Sequence, residues 1–87
     1  MSDGLNRCMF IGNLGTDVEL RYTANGSAVA TFRIACSRSF GSDDGRKEET
    51  EWFTVVTWNK LAEIVGQHLA KGRRVYVEGR LQTRSWE

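Results

Sequence analysis

The chain contains no proline, one histidine and only two cysteines. Without proline, its turns rest on glycine and asparagine. The lone histidine, His68, has no second histidine or cysteine near it, so it reads as a surface residue rather than a metal ligand. Cys8 and Cys36 could supply at most one disulfide, yet both fall inside strand-like runs and read as small core residues. No apolar run approaches the roughly 18 residues that cross a membrane as a helix. Residues 1–15 lack a basic start followed by an unbroken apolar segment, so no secretory signal is read there. A reducing, soluble compartment is expected. No nucleophile–base pair, paired carboxylates or Gly-Lys-Ser phosphate cradle can be argued. Asp43 and Asp44 are adjacent in a polar stretch with no further ligand. Gly12-Asn13-Leu14-Gly15 follows a strand but precedes no helix, which argues against a dinucleotide site. These absences predict no catalytic residue, no metal and no cofactor.

The 87 residues make one domain, spanning 1–87. A chain of this size buries only about 60–65% of its unfolded surface, so oligomerisation is the expected added source of stability. Net charge is +1. Its distribution is uneven. Residues 39–51 hold five acidic and two basic residues, whereas residues 52–87 hold six basic and three acidic ones.

Leu5 to Gly12 reads as a first strand, ended by the break Gly12–Gly15. Glu19–Thr23 is a short extended segment. Asn25-Gly26 follows, the strongest short hairpin signal, predicted here as a two-residue loop. In the next strand, Ala28–Ser37, the core parity is Ala30, Phe32, Ile34 and Cys36. Thr31, Arg33 and Ser37 take the other face. Ser39–Glu49 reads as a hydrophilic loop and Glu51–Trp58 as a third strand. Asn59 is placed to cap a helix over 60–71, with Leu61, Ile64, Val65 and Leu69 as its apolar stripe and Gly72 as its stop. A last strand runs from Arg74 to Trp86, with Gly79 marking a bulge. The order β-β-β-α-β predicts an all-β fold with one helix between strands three and four. It is the order of an OB-fold, a five-stranded Greek-key barrel, with the fifth strand missing. A truncated domain is expected.

The last strand carries the strongest functional signal. One parity holds Tyr76, Glu78, Arg80, Gln82, Arg84 and Trp86, and the other begins Val75, Val77. A face that mixes rings with guanidinium groups can stack bases and neutralise phosphates. Trp52 and Trp58 likewise share a parity, opposite Phe53 and Val55. Tryptophan is more often buried than not. However, each of these rings sits opposite the aliphatic positions of its own strand.

Several segments occur together and in order: Ile11-Gly12-Asn13-Leu14-Gly15-Thr16-Asp17; Leu20-Arg21-Tyr22 with Asn25-Gly26; Thr50-Glu51-Trp52-Phe53-Thr54-Val55-Val56; Lys60-Leu61-Ala62-Glu63; Lys71-Gly72; and Val75-Tyr76-Val77-Glu78-Gly79-Arg80-Leu81 with Thr83-Arg84-Ser85-Trp86. From Leu5 to the last residue the chain closely resembles the bacterial single-stranded DNA-binding protein family. The resemblance implies a homo-oligomer, a tetramer of OB-folds. It would wrap single-stranded DNA without sequence preference in replication, recombination and repair, in the bacterial cytoplasm at the nucleoid. It implies stacking on Phe40, Trp52, Trp58 and Trp86. Relative to the familiar enterobacterial pattern, the first and third of these rings are exchanged. Candidate phosphate contacts are Arg84, Arg80, Arg33, Lys60, Lys71, Arg73, Arg74 and Arg21. Phe53 stands where the family often has a histidine at a subunit contact, and Thr54 stands where it has an arginine. The family recruits replication and repair proteins through a flexible acidic tail, which is expected to be absent here. Two other readings stay open: a primosome-type OB accessory protein and an oligosaccharide-binding OB domain.

Overall fold

A computed structural model describes residues 4–40, 45 and 47–82, apart from the side chains of Ser39, Phe40 and Lys47. Five strands and a helix follow in the order β1 (Cys8–Leu14), β2 (Glu19–Tyr22), β3 (Ala28–Phe40), β4 (Lys47–Trp58), α1 (Asn59–His68) and β5 (Arg74–Gly79). All pairings are antiparallel and join in one sheet. β3 is its spine. β4 lies along one edge of β3 for its whole length. On the other edge β2 pairs residues 28–31, and the end of β1 pairs Ile34 and Ala35. β1 then carries β5 on its far side.

The alternation read in the sequence sets the core. Ala30, Phe32 and Ile34 of β3 are buried, joined by Ala28, Leu14 and, from the helix, Ala62 and Val65. Phe10 of β1 and Phe53 of β4 extend this core, with ring centroids 4.0 Å apart. Buried Thr57 satisfies its hydroxyl by donating to the Ala30 carbonyl at 3.3 Å. Both cysteines are free and half-buried.

Several expectations are corrected. Glu19–Tyr22 forms a ladder with β3 and so counts as a strand. The sheet therefore has five strands, and the helix falls between the fourth and fifth. Gly12 does not break β1. It lies inside the strand, opposite Val75, where β1 turns from β5 toward β3. A Cβ there would stand 2.5 Å from the Ala35 carbonyl oxygen, so glycine permits a close approach rather than a turn. The Asn25-Gly26 loop holds three residues, not two. Gly26 donates to the Thr23 carbonyl at 2.9 Å, Thr23 donates to Ser27 at 2.8 Å, and only Gly26 of the pair has positive φ. That is the type I turn plus left-handed glycine form of the hairpin.

The polar stretch 39–49 is mostly strand. Pairing continues to Phe40 opposite Lys47, supported by the Arg38–Glu49 ion pair at 3.2 Å and the Ser37–Thr50 hydroxyl bond at 2.9 Å. The helix ends at His68 rather than Lys71, and Asn59 makes no side-chain cap. Gly72, at φ 93°, serves instead the turn into β5, where Arg73 donates to the Ala70 carbonyl. The buried helical stripe is Ala62 and Val65, with Leu69 packed beside it, while Leu61 and Ile64 face outward. Small residues bring the helix close to the sheet: Leu20 packs directly on Gly66. Finally, β5 ends at Gly79, opposite Cys8, the first residue of β1. Beyond the ladder a side chain takes over. Asn6 donates to the Leu81 carbonyl at 2.7 Å and accepts from the Leu81 N–H at 3.0 Å. Residues 83–87 lie outside the described region.

Gly12→Ala is expected to push β1 off β3 and lower stability by about 1–3 kcal/mol, as overpacking does. Denaturant unfolding with an unchanged m-value would show it, and a loss below about 0.5 kcal/mol would contradict the close-approach reading.

Candidate nucleic-acid interface

Residues directly opposite one another in an antiparallel ladder share a face of the sheet. Register therefore assembles the surface opposite the core row by row. Arg74, Asn13, Ala35 and Trp52 form one row across four strands. Arg33 and Thr54 form the next. Glu19, Thr31 and Val56 follow, then Arg21, Val29 and Trp58. The two tryptophans end this face about 20 Å apart, six strand residues at roughly 3.3 Å each. Trp52 is 48% exposed and Trp58 is 55% exposed, well outside the usual range for so large a ring. Neither has been drawn into the core, and both lie on the face opposite Phe53 and Val55.

The two rings differ in surroundings. The Arg33 guanidinium carbon lies 5.0 Å from the centroid of Trp52, a cation–π contact. No such cation lies over Trp58 among the described residues. Phe40 ends β3 by its backbone, and its side chain is outside the description, as are Trp86 and Arg84.

The candidate cations divide by place. Register brings Arg33, Arg74 and Arg21 to the tryptophan face. Arg21 is engaged there by Glu19, whereas Arg33 and Arg74 have no carboxylate in ion-pair range among the described residues. A guanidinium with no carboxylate beside it meets a phosphate without first breaking an ion pair. Lys60 is the second residue of the helix, Lys71 and Arg73 lie in the turn before β5, and Arg80 follows β5. All four are exposed, and no strand register carries them to the tryptophan rows. Phe53, expected at a subunit contact, is half-buried against Phe10 of its own chain.

Sequence reasoning missed an apolar patch that continues this face beyond Asn13 and Arg74. Met9 and Ile11 of β1 and Tyr76 of β5 are each more than half exposed, and Ile11 stands directly opposite Tyr76. The signal was present in Cys8-Met9-Phe10-Ile11, which is apolar in both parities. A strand covered on both sides reads that way. At the edge of this patch Tyr76 donates to Glu78 at 3.0 Å, and Arg7 pairs with the other Glu78 oxygen at 3.1 Å. The bond to Glu78, then desolvation and the Glu78 charge, raise the Tyr76 phenol above its ordinary pKa, so it remains a neutral donor at pH 7. Burial, then the Glu51 charge, raise the Cys36 thiol as well, which makes it a poor nucleophile. No helix among the described residues is long and apolar enough to cross a membrane.

The sequence model of the single-strand binding protein family matches residues 5–87. The chain is 53% identical over 88 aligned positions to "Single-stranded DNA-binding protein 1" of Chlorobaculum tepidum. That alignment takes in all of this chain but 54% of the relative, so the chain spans about half the relative's length. Its fold is similar to that of the solved "Plasmodium falciparum SSB complex with ssDNA", with a TM-score of 0.91 and 32% identity. The likeness covers the whole of this chain and 79% of that one.

The Tyr76–Glu78 contact can be tested without a ligand. Glu78→Gln removes both the charge and the carboxylate acceptor, so the phenol should titrate at lower pH than in the parent protein. Ultraviolet absorbance of phenolate follows it. An unmoved midpoint would mean that Glu78 does not hold the ring.

Proposed function

Because the chain belongs to the single-strand binding protein family, we propose that it binds single-stranded DNA without sequence preference and acts by binding rather than catalysis. The observation that carries this reading is the pair of exposed tryptophans on one sheet face with free arginines between and beside them. Unstacked bases lie on Trp52 and Trp58, and on Phe40 and Trp86. Phosphates run past Arg33 and Arg74, with Arg21, Lys60, Lys71, Arg73, Arg80 and Arg84 as further contacts. Duplex DNA competes poorly, because its bases are already stacked. The process served is replication, recombination and repair in a bacterial cytoplasm, with proteins of those pathways as partners.

The protein is further read as a homotetramer. A small domain with Met9, Ile11 and Tyr76 in the open gains by covering them with a second copy. Phe53 remains a candidate contact, although its substitution would also strip Phe10 of its partner.

Trp58→Ala is expected to weaken binding of oligo-dT by roughly 5- to 150-fold, which corresponds to about 1–3 kcal/mol for one stacked base. Other single-stranded sequences should lose about equally. Affinity should fall with salt, with a slope near −0.7 per neutralised phosphate, and Arg74→Ala should flatten that slope by about 0.7. Fluorescence titrations at several salt concentrations measure both. Salt-independent binding would point instead to a sugar-like ligand, and a loss confined to one sequence would rule out stacking.

Ile11→Glu sets a charge in the middle of the apolar patch and should reduce the assembly to smaller species in analytical ultracentrifugation. An unchanged sedimentation profile would place the interface elsewhere.

A further inference from the structure

Gly15 does not need to be glycine for its backbone. Among the described glycines only Gly26 and Gly72 have positive φ. What stands against Gly15 is a ring. A Cβ built on it would lie 2.1 Å from Cζ3 of Trp52, 2.6 Å from Cη2 and 3.4 Å from Cε3. Those three distances put the Cβ off the outer edge of the six-membered ring, close to its plane. Gly15 therefore abuts the edge of the indole, not a face. The arginine contact is of the other kind, with the Arg33 guanidinium carbon over the ring at 5.0 Å from its centroid.

The same two residues are locked to each other. Gly15 donates its N–H to the Arg33 carbonyl at 2.8 Å. Arg33 donates its own N–H to the Thr16 hydroxyl at 3.1 Å. The bend that meets the ring's edge and the strand that carries the ring's cover thus form one rigid unit. Trp52 itself comes from the neighbouring strand, opposite Ala35.

We propose that Gly15 and Arg33 are positioning residues for Trp52: Gly15 sets where the ring rests, Arg33 closes one of its faces, and Trp52 offers a single face to a base. The inference rests on the stacking role proposed above and adds to it a division of labour. No described glycine abuts Trp58, and no cation lies over it among the described residues. It is the adaptable ring of the pair, and Trp52 is the fixed one.

Gly15→Ala tests this directly. The bend is hydrogen-bonded in place and the obstructed atoms are the far end of a side chain, so the ring moves and the fold holds. With 5-fluorotryptophan incorporated, fluorine NMR resolves each indole, and Trp52→Phe assigns the Trp52 resonance. In Gly15→Ala that resonance should shift while those of Trp58 and Trp86 stay, and oligo-dT affinity should fall about tenfold, part of the value of one stacked base. In a Trp52→Ala background the same change should cost nothing further, because contacts that act through one residue are not additive. An unmoved Trp52 resonance, or an equal loss in both backgrounds, would overturn the role of Gly15. Arg33→Gln adds no volume and tests the cover: the H2O/D2O solvent shift of the Trp52 resonance should rise as a second face opens, and an unchanged shift would remove Arg33 from the proposal. Should Trp52→Ala leave oligo-dT affinity intact, the stacking role fails, and the resonance shifts alone still decide whether Gly15 and Arg33 place the ring.

Discussion

The fold turns on the bend from Asn13 to Asp17, which is hydrogen-bonded on two sides at once. Toward β5, Leu14 donates to the Arg73 carbonyl at 2.8 Å and accepts from Gly72 at 2.8 Å. Asn13 donates its side-chain amide to the Gly72 carbonyl at 3.1 Å, and Asp17 accepts from the Lys71 N–H at 3.0 Å. Toward β3, the Gly15 and Thr16 bonds to Arg33 close the other side. Leu14 between them is buried in the core. One five-residue stretch thereby joins the helix exit, the central strand and the last strand. The row that brings Arg74 beside Trp52 exists because β1 pairs with both β5 and β3 at this point. Individually such bonds contribute about 1 kcal/mol each, but they share one short segment, so losing any of them loosens the rest.

What the amino-acid pattern revealed, and what it did not, follows from range. The β3 core parity was legible because alternation is local: Ala30, Phe32 and Ile34 face one way whatever surrounds them. The tryptophan parity was legible for the same reason. Strand ends were not, because pairing depends on the partner. Arg38 and Ser39 look like loop until Glu49 and Glu48 stand opposite them. Arg80 to Gln82 look like strand until β1 stops at Cys8. Helix face was misjudged where size was taken for burial, since the close approach of α1 to the sheet favours Ala62 over Leu61. The roles of Gly12 and Gly15 could not be read at all. Each answers to an atom more than twenty residues away, the Ala35 carbonyl and the Trp52 ring.

Charge is organised by the same register. Near-neutral overall, the chain spends its acids locally: Glu19 on Arg21, Glu49 on Arg38 and Glu78 on Arg7. All three pairs are exposed and each contributes little to stability. Their effect is to silence some cations and leave others available. Arg33 and Arg74 lie in adjacent rows beside Trp52, so the free positive charge borders the fixed ring. A net charge of +1 conceals that arrangement completely.

The ladder between β1 and β5 pairs residues 8–13 with residues 74–79. On a ribosome, β1 is made before any other strand and its partner β5 after the helix. At about 5–20 residues per second, β1 waits several seconds before β5 exists. The β3–β4 hairpin, which is local, can form in microseconds once its strands emerge. Between the completion of β4 and the arrival of β5 the nascent chain therefore holds a finished hairpin and an orphan strand, apolar in both parities and with one long edge open. That edge is the kind that pairs with whatever strand is near.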